Sequence, residues 1–349
     1  MTRRHDLRKK PNVRGTKSTN DSERFNDMDS KPNPTSNFAE IHAPESMSLT
    51  YNTDQVIEFT NLILWYYDRK QHLDINFSYV KIFDYESIAL LLGVLVKFRV
   101  ANLSLRGSFP YDRKAKEFLR HSIFYKYLFD KSAIKESERY NFFTSFVDEN
   151  FEVNQVQKAA KGVDSAMTGF LISKASKTVW GQSHNCPGVQ AVCLELMQNT
   201  DNHAAIEKER VHHFWISLNH RVREKIVKFV FMDFGVGIFD SIQNKIKQNK
   251  LFFESLSASK AFTLSNNALL LKEIMEGQIH SYVPTEFFRG NGLPFINDTL
   301  KRNEISKLRI ISNNVRSSVY KDKYELLRNS FSGTIVTWEL DINNIHASL

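Results

Sequence analysis

The sequence predicts an α/β protein in which a small α/β domain precedes a larger α/β sandwich. Between residues 54 and 130, apolar runs of strand length alternate with amphipathic runs of helix length, a pattern typical of a parallel α/β unit. After residue 190, a helical pattern leads into two β-type apolar runs, and further strand patterns close the chain. These observations divide the chain into domains at residues 48–135 and 186–349, joined by a connection over residues 136–185.

At 349 residues and 42% apolar content, the chain is long enough for two hydrophobic cores. Its longest apolar runs fall short of the roughly 20 residues of a membrane span, and no apolar segment follows the charged start as in a signal peptide. We therefore expect a cytoplasmic protein that does not associate with membranes. Cys186 and Cys193 are too few for a disulfide framework and are not spaced like zinc ligands, so we expect free thiols.

Residues 1–47 are predicted to form a disordered basic leader, because they are rich in polar residues and Pro and show hardly any apolar periodicity. In the first twenty positions, seven Lys or Arg residues against one Asp supply six of the chain's eight net positive charges. Such a tail either touches nucleic acid or an acidic partner, or merely solubilises the chain. The sequence pI near 9.2 is therefore no sign of a DNA-binding fold.

The small domain is predicted to alternate helices with strands, which indicates a parallel strand pair. Helices are expected from Asp54 to about Arg69, from about Tyr85 to Phe98 and from about Asp112 to Leu128, and strands at residues 73–77 and 101–105. In the larger domain, strands are expected at residues 211–218, 225–232, 306–312 and 333–340.

A helix predicted over residues 191–204 carries one wholly polar face. Glu195, Asn199, Asn202 and His203 stand at i, i+4, i+7 and i+8, so they share that face. In one interpretation this is the solvated side of an ordinary helix. In the other it meets a ligand, with a carboxylate that handles a water molecule and an amide oxygen that ligates a hard cation.

Two glycine-containing segments could approach the same ligand. Asp233 follows an apolar run and precedes Gly235 and Gly237, so a carboxylate at a strand end could accept a hydrogen bond from an exocyclic amine beside closely approaching backbone. Residues 290–293, which are Gly290, Asn291, Gly292 and Leu293, precede a helical pattern whose free N–H groups suit phosphate. Both patterns also occur in ordinary turns.

In this order the segments resemble the motifs of the GHKL superfamily, the ATP-binding fold of gyrase, heat-shock chaperones, histidine kinases and MutL. Residues 195–203 resemble its N box in the style of histidine kinases and anti-sigma-factor kinases, residues 233–237 its G1 box, and residues 290–293 its G2 box. Ser332-Gly-Thr334 resembles the closing Gly-Thr. The resemblance implies a histidine-kinase-like ATPase sandwich for residues 186–349, with ATP and Mg²⁺ as cofactors.

The resemblance also implies a role for each matching residue. Asp233 would bind the adenine amino group with support from Thr334, Asn199 would hold Mg²⁺, and Gly235 and Gly237 would let the chain pass close to the nucleotide. Gly290 and Gly292, flanking Asn291 and followed by Leu293, would lie at the phosphates, beside a lid over residues 238–288.

Glu195 stands where hydrolysing members carry the general base, although in the kinases a similar Glu polarises the acceptor. Its presence therefore does not separate hydrolysis from transfer. Asn202 and His203 are further candidates for nucleotide contact, but Asn202 holds the position after Asn199 that in the family often carries Lys or Arg for phosphate. This departure puts the strength of phosphate binding in doubt.

Residues 75–99 also resemble the STAS fold of anti-sigma-factor antagonists, in which a strand-end Ser accepts phosphate. Ser78 is the candidate at that place, and the alternative is an unremarkable Ser in an α/β scaffold. No long helical hairpin with a phosphoacceptor His is predicted before residue 195, which disfavours a standard histidine kinase.

From these observations we expect an ATP-Mg²⁺-dependent protein kinase or slow ATPase switch in intracellular signalling or defence. The alternative is a non-catalytic regulator that binds ATP as a structural ligand. The chain ends soon after its last predicted strand, where gyrase, MutL and the chaperones continue into a second domain, so we expect action on a separate protein partner or phosphoacceptor. The sequence identifies neither that partner nor the oligomeric state, and a homodimer stays open.

Overall fold

The computed structural model describes residues 24–26, 37–122, 124, 142–148, 151–158, 163–204, 214–248, 254, 256–257, 265–281 and 292–345. Within these ranges the chain is a mixed α/β protein with parallel and antiparallel sheets, which confirms the α/β class. The histidine-kinase-like sandwich and the STAS-like domain stay predictions. The described helices are too short or too polar to cross a membrane.

The strands, in chain order, are β1 (Arg24–Asn26), β2 (Phe38–His42), β3 (Ser46–Met47), β4 (His72–Asn76), β5 (Ile82–Phe83), β6 (Leu105–Ser108), β7 (Phe142–Asp148), β8 (Phe151–Lys158), β9 (Phe214–Arg221), β10 (Ile226–Asp233), β11 (Ser306–Ser318) and β12 (Lys323–Leu340). The helices are α1 (Thr53–Asp68), α2 (Tyr85–Val100), α3 (Arg113–His121), α4 (Ser165–Trp180), α5 (Pro187–Ala204), α6 (Ile238–Gln248), α7 (Asn267–Met275) and α8 (Gly292–Lys301). Short 3₁₀ helices lie at Gln278–Ser281 and Val319–Lys321.

The N-terminal unit contains a four-stranded sheet in the order β1-β6-β4-β2, in which β2, β4 and β6 are parallel. Helix α2 begins because the Asp84 side chain accepts a hydrogen bond from the Ser87 backbone N–H at 2.8 Å. The strand predicted at residues 101–105 is wrong by several residues, since the chain first turns at Asn102 with φ 55°. The strand therefore begins only at Leu105.

Part of the predicted leader is folded. Strands β2 and β3 lie within residues 1–47, and Ile41 and Met47 are buried. Strand β2 pairs in parallel with β4, about thirty residues farther along the chain. The disorder prediction is wrong here because composition reports local tendencies, whereas β2 is stabilised by this non-local pairing. Residues 1–23 and 27–36 lie outside the described residues.

The large sheet has six antiparallel strands in the order β11-β12-β10-β9-β8-β7. Strands β7 and β8 fall in the stretch predicted as a connection, and they form one edge of this sheet. Strands β11 and β12 form a hairpin at the other edge. They are longer than the two predicted runs, because a 3₁₀ turn and Asp322 at φ 50° join them directly. The predicted division into domains stays a prediction.

Each face of the large sheet packs against a different layer. Along β10, Phe229 and Phe231 belong to a core formed with helices α4 to α8, whereas Val230 and Met232 belong to a core shared with the N-terminal unit. Successive residues of a strand point to opposite faces, which explains this division. Helices α1 and α2 thus cover the face that the C-terminal helices leave open.

Candidate functional site

Asp233 ends strand β10, and its carboxylate is held by neighbouring donors. Its Oδ1 accepts a hydrogen bond from the Gly235 backbone N–H at 2.9 Å, and Thr334 lies directly opposite on β12. Burial raises the pKa of Asp233 to about 6, although hydrogen bonds from Gly235 and Thr334 act in the other direction. Asp233 and Thr334, which the sequence predicted to act together, are therefore neighbours.

The turn after Asp233 is held by Asn313 of β11. The Asn313 side chain donates to the Val236 carbonyl at 2.8 Å and accepts from the Phe239 backbone N–H at 3.0 Å. Gly237 has φ +82°, and a Cβ there would collide with the Asn313 amide. Glycine is thus required at this position for both its backbone conformation and its close approach.

Ser312 connects the same turn to the β12 strand. Its hydroxyl accepts from the Ile238 backbone N–H at 2.9 Å, donates to the Gly333 carbonyl at 3.0 Å and lies 3.1 Å from the Thr334 hydroxyl. Gly333 has φ +134°, and a side chain there would collide with the Asp233 carbonyl oxygen. The sequence analysis did not identify Ser312 or Asn313, because only the strand register brings them to the turn.

A second polar group lies where helix α8 begins. A Cβ placed on Gly292 would stand 2.9 Å from Glu195 Oε2 and 3.1 Å from Asn199 Nδ2. The bare backbone of Gly292 therefore fits against the polar face of α5, and a side chain at this position would displace the carboxylate and the amide. Glu195, Asn199 and Gly292, which the sequence analysis assigned to one site, are therefore neighbours.

The first N–H groups of a helix have no partner within the helix and carry its positive dipole end. The start of α8 therefore suits an anion, with Glu195 and Asn199 beside it. Leu293, in contrast, packs against the apolar core of the helical layer. The Leu293 side chain is thus engaged in core packing, and its predicted contact with a nucleotide stays a prediction.

The structure does not describe the side chains of four other predicted site residues. Asn202 and His203 belong to helix α5, but only their backbone is described. Gly290 and Asn291 lie outside the described residues, as do several parts of the predicted lid.

The two polar groups occupy the same face of the large sheet. Asp233 has the strand parity of Phe229 and Phe231, which face the helical layer, and α5 packs against β10 within that layer. Asp233 therefore points towards the layer that carries Glu195 and Asn199. The described residues contain no group of three His, Cys, Asp or Glu side chains that could hold a metal ion alone.

A scan against models of known protein families and a search of curated proteins both give no match for this chain.

The N-terminal unit reaches the turn after Asp233 through one aromatic ring. A Cβ placed on Gly93 of helix α2 would lie 2.5 Å from Phe234 Cζ, so the ring packs directly on the helix backbone. The Lys97 ammonium lies 4.9 Å from the centre of the same ring. This contact, which the sequence did not predict, connects α2 to the segment between Asp233 and Gly235.

Two further predictions concern single side chains. Ser78 is 4% exposed and its hydroxyl lies 2.9 Å from that of Ser108, so phosphorylation of Ser78 would require this region to open.

Cys186 and Cys193 are buried free thiols, as predicted. Burial raises the pKa of Cys186 to about 11 and that of Cys193 to about 12, which keeps both protonated and unreactive.

Proposed function

We propose that this chain binds ATP with Mg²⁺ through a site of the GHKL type, between the end of β10 and the start of α8. The observation that carries the proposal is the contact of Gly292 with Glu195 and Asn199, on the sheet face towards which Asp233 points. A phosphate-binding helix start, a hard oxygen ligand and a carboxylate are what a magnesium nucleotide requires.

The residues present fit the parts of this ligand. The carboxylate of Asp233, supported by Thr334, is an acceptor for the adenine amino group at a strand end. The amide oxygen of Asn199 is a ligand for Mg²⁺, which in proteins commonly takes one or two side chains and completes its shell with phosphate oxygens and water. Asn199 would hold the metal ion together with phosphate oxygens of ATP, because the described residues contain no group of three His, Cys, Asp or Glu side chains that could hold it alone.

We propose that the chain uses ATP as a protein kinase or as a slow ATPase switch. Glu195 is adjacent to the phosphate-binding end of α8, where a carboxylate can accept the proton of a water molecule or of an acceptor hydroxyl. The alternative is a non-catalytic regulator, in which ATP binding only changes the contact between Phe234 and α2. Both functions are compatible with a separate protein partner or phosphoacceptor. Both are also compatible with a basic leader that contacts nucleic acid or an acidic partner.

Incubation of the full chain with γ-labelled ATP and Mg²⁺ separates these functions. A kinase transfers label to a protein side chain, an ATPase releases labelled phosphate, and a non-catalytic regulator does neither while still binding ATP. We expect Glu195→Gln to abolish turnover while ATP binding stays within about threefold of the parent, because the variant keeps size and polarity but not basicity.

The matched control is Glu58→Gln, the same substitution at an exposed position of α1 on the other face of the sheet, which should leave turnover unchanged. Undiminished turnover in Glu195→Gln would contradict a catalytic role for Glu195. Absence of ATP binding in the parent protein would contradict the proposed function itself.

A further inference from the structure

The opposite face of the large sheet carries a polar cleft at the junction with the N-terminal unit. It has a volume of about 300 Å³ and lies between the loop at residues 49–51 and the β11–β12 hairpin. On β11, Arg309 and Ile311 face this side, whereas Ser312 faces the proposed nucleotide site. The cleft is therefore separated from that site by the sheet itself. Its polar lining includes Thr50, Arg309, Arg316, Tyr320, Lys321 and Lys323.

Arg309 is the central cation of this cleft. Its guanidinium is partly buried, donating to the Thr50 hydroxyl at 2.7 Å and to the Tyr320 hydroxyl at 3.5 Å. It has no carboxylate at ion-pair distance anywhere in the described part of the chain. A guanidinium has five N–H donors, so several are left for another acceptor. Partial burial of a cation without a counter-charge is unfavourable, and an anionic ligand would supply that charge.

The acidic residues of the cleft are already engaged by other cations. Glu325 is shared between Arg316 and Lys323, each at 2.8 Å. Glu86 is held by Lys228 at 2.7 Å. Neither carboxylate forms an ion pair with Arg309.

A second cation lies beside the same tyrosine, Tyr320. The Lys321 ammonium stands 5.4 Å from the centre of the Tyr320 ring and forms no ion pair within the described ranges. The hydrogen bond from Arg309 lowers the pKa of Tyr320, which is a sign of the positive potential at this point. Arg309, Lys321 and the Tyr320 hydroxyl therefore form one electropositive corner.

We propose that this cleft binds a small phosphorylated molecule, with its phosphate group held by Arg309 and Lys321. The planar guanidinium matches two phosphate oxygens, and the hydroxyls of Thr50 and Tyr320 are donors for the others. The volume exceeds that of a phosphate ion and falls at the lower end of the range for small-molecule sites. A ligand here bridges the N-terminal unit at Thr50 and the β11–β12 hairpin.

The test is a calorimetric titration of the full chain with glycerol phosphate, and in parallel with inorganic phosphate, at constant ionic strength. We expect saturable binding, with glycerol phosphate bound at least as tightly as inorganic phosphate. Arg309→Gln should weaken binding at least about tenfold, because a charge-assisted pair of hydrogen bonds is lost. Lys321→Gln, at an exposed position that does not endanger folding, should weaken it about threefold.

The matched control is Lys301→Gln, which removes a similarly exposed Lys paired with Asp298 at the end of α8. We expect it to bind phosphate as the parent does. The proposal is overturned if Arg309→Gln and Lys321→Gln bind normally, or if Lys301→Gln loses binding to the same extent.

The Arg309→Gln variant separates this proposal from the proposed ATP site, because Arg309 lies on the other face of the sheet. If the parent binds glycerol phosphate through Arg309 but never binds ATP, the nucleotide proposal fails and the cleft proposal stands. If the parent binds ATP but does not bind glycerol phosphate, the cleft proposal fails and the nucleotide proposal stands.

Discussion

At the scale of single residues, Asp233 controls how the proposed site should respond to pH. Burial raises the pKa of its carboxyl to about 6, so the group is mostly ionised at pH 7.5 and mostly protonated at pH 5. The ionised form is the stronger acceptor for an amino group. Nucleotide affinity should therefore fall as the pH decreases through 6.

We expect ATP affinity to drop about fivefold between pH 7.5 and pH 5, since a hydrogen bond to a charged acceptor is stronger by roughly 1 kcal/mol. Asp233→Asn, which has no proton to gain, should bind weakly at both values. The phosphates of ATP titrate in a similar range, so the quantity to compare is the difference between parent and variant. An equal pH dependence in both proteins would rule out Asp233 as its source.

The same shift has a consequence for stability. The pKa of the Asp233 carboxyl is higher in the folded protein, about 6, than the ordinary value of 3.8 expected in the unfolded protein. The protonated carboxyl therefore stabilises the fold fully below pH 3.8, and this contribution to the free energy of unfolding is lost as the pH rises through about 6. In the proposed site, ATP binding to the ionised form would offset this loss.

Gly292 tests the second half of the site. In Gly292→Ala the new methyl group would stand 2.9 Å from Glu195 Oε2, the movable end of a side chain, so the free energy of unfolding should change by less than about 1 kcal/mol. The displaced carboxylate and amide should lower ATP-Mg²⁺ affinity at least about tenfold.

The control is Gly169→Ala in helix α4, where the added methyl group meets nothing within 4 Å. This variant should bind ATP normally and gain up to about 1 kcal/mol of stability, because Ala favours a helix over Gly. Normal ATP affinity in Gly292→Ala would show that α8 and α5 do not form the phosphate end of the site.

At the scale of elements, helix α2 and strand β10 meet at Gly93 and Phe234. In Gly93→Ala the methyl group would lie 2.5 Å from Phe234 Cζ and 2.8 Å from Cε2, so the ring has to move. Overpacking of this kind costs about 1–3 kcal/mol, measured as the free energy of unfolding in denaturant. Because Phe234 separates Asp233 from Gly235, ATP affinity should fall as well, under conditions in which the variant stays folded. Unchanged affinity would mean that α2 does not influence the turn.

The elements that the sequence predicted correctly are those whose residues alternate or repeat clearly. Helix α5 was predicted from residue 191 and begins at Pro187, whose missing N–H suits a first helical turn. Strand β10 was predicted within one residue of its end at Asp233. Strand β2 was missed, because its pairing with β4 is not encoded in local composition.

For the site, residue patterns placed Glu195 and Asn199 on one helix face, and the resemblance to a family paired Asp233 with Thr334. Neither could identify Ser312 and Asn313, whose role depends on the register of β11 against β12 and on the position of the turn after β10. Contacts between distant segments are set by tertiary packing, which periodicity does not report.

At the scale of the whole molecule, the two parts share one hydrophobic core. Trp215 and Phe331 of the large sheet are buried with residues of α1 and α2, and the ion pair between Glu86 and Lys228 crosses the same junction. Asp54 of α1 also accepts a hydrogen bond from the Arg328 backbone N–H at 2.7 Å. One side of the sheet therefore faces the C-terminal helices and the proposed nucleotide site, and the other faces the N-terminal unit. Phe234 contacts Gly93 of α2 across this junction.

The central claim is that residues from α5, β10, β12 and α8 form a binding site for ATP and Mg²⁺. The most direct measurement is a calorimetric titration of the full chain with ATP, with and without Mg²⁺, for the parent, Asn199→Ala and Gly169→Ala. We predict saturable binding of one ATP per chain that strengthens with Mg²⁺ in the parent and in Gly169→Ala, and that loses this Mg²⁺ dependence in Asn199→Ala. No saturable binding by the parent at millimolar ATP and Mg²⁺ would contradict the claim.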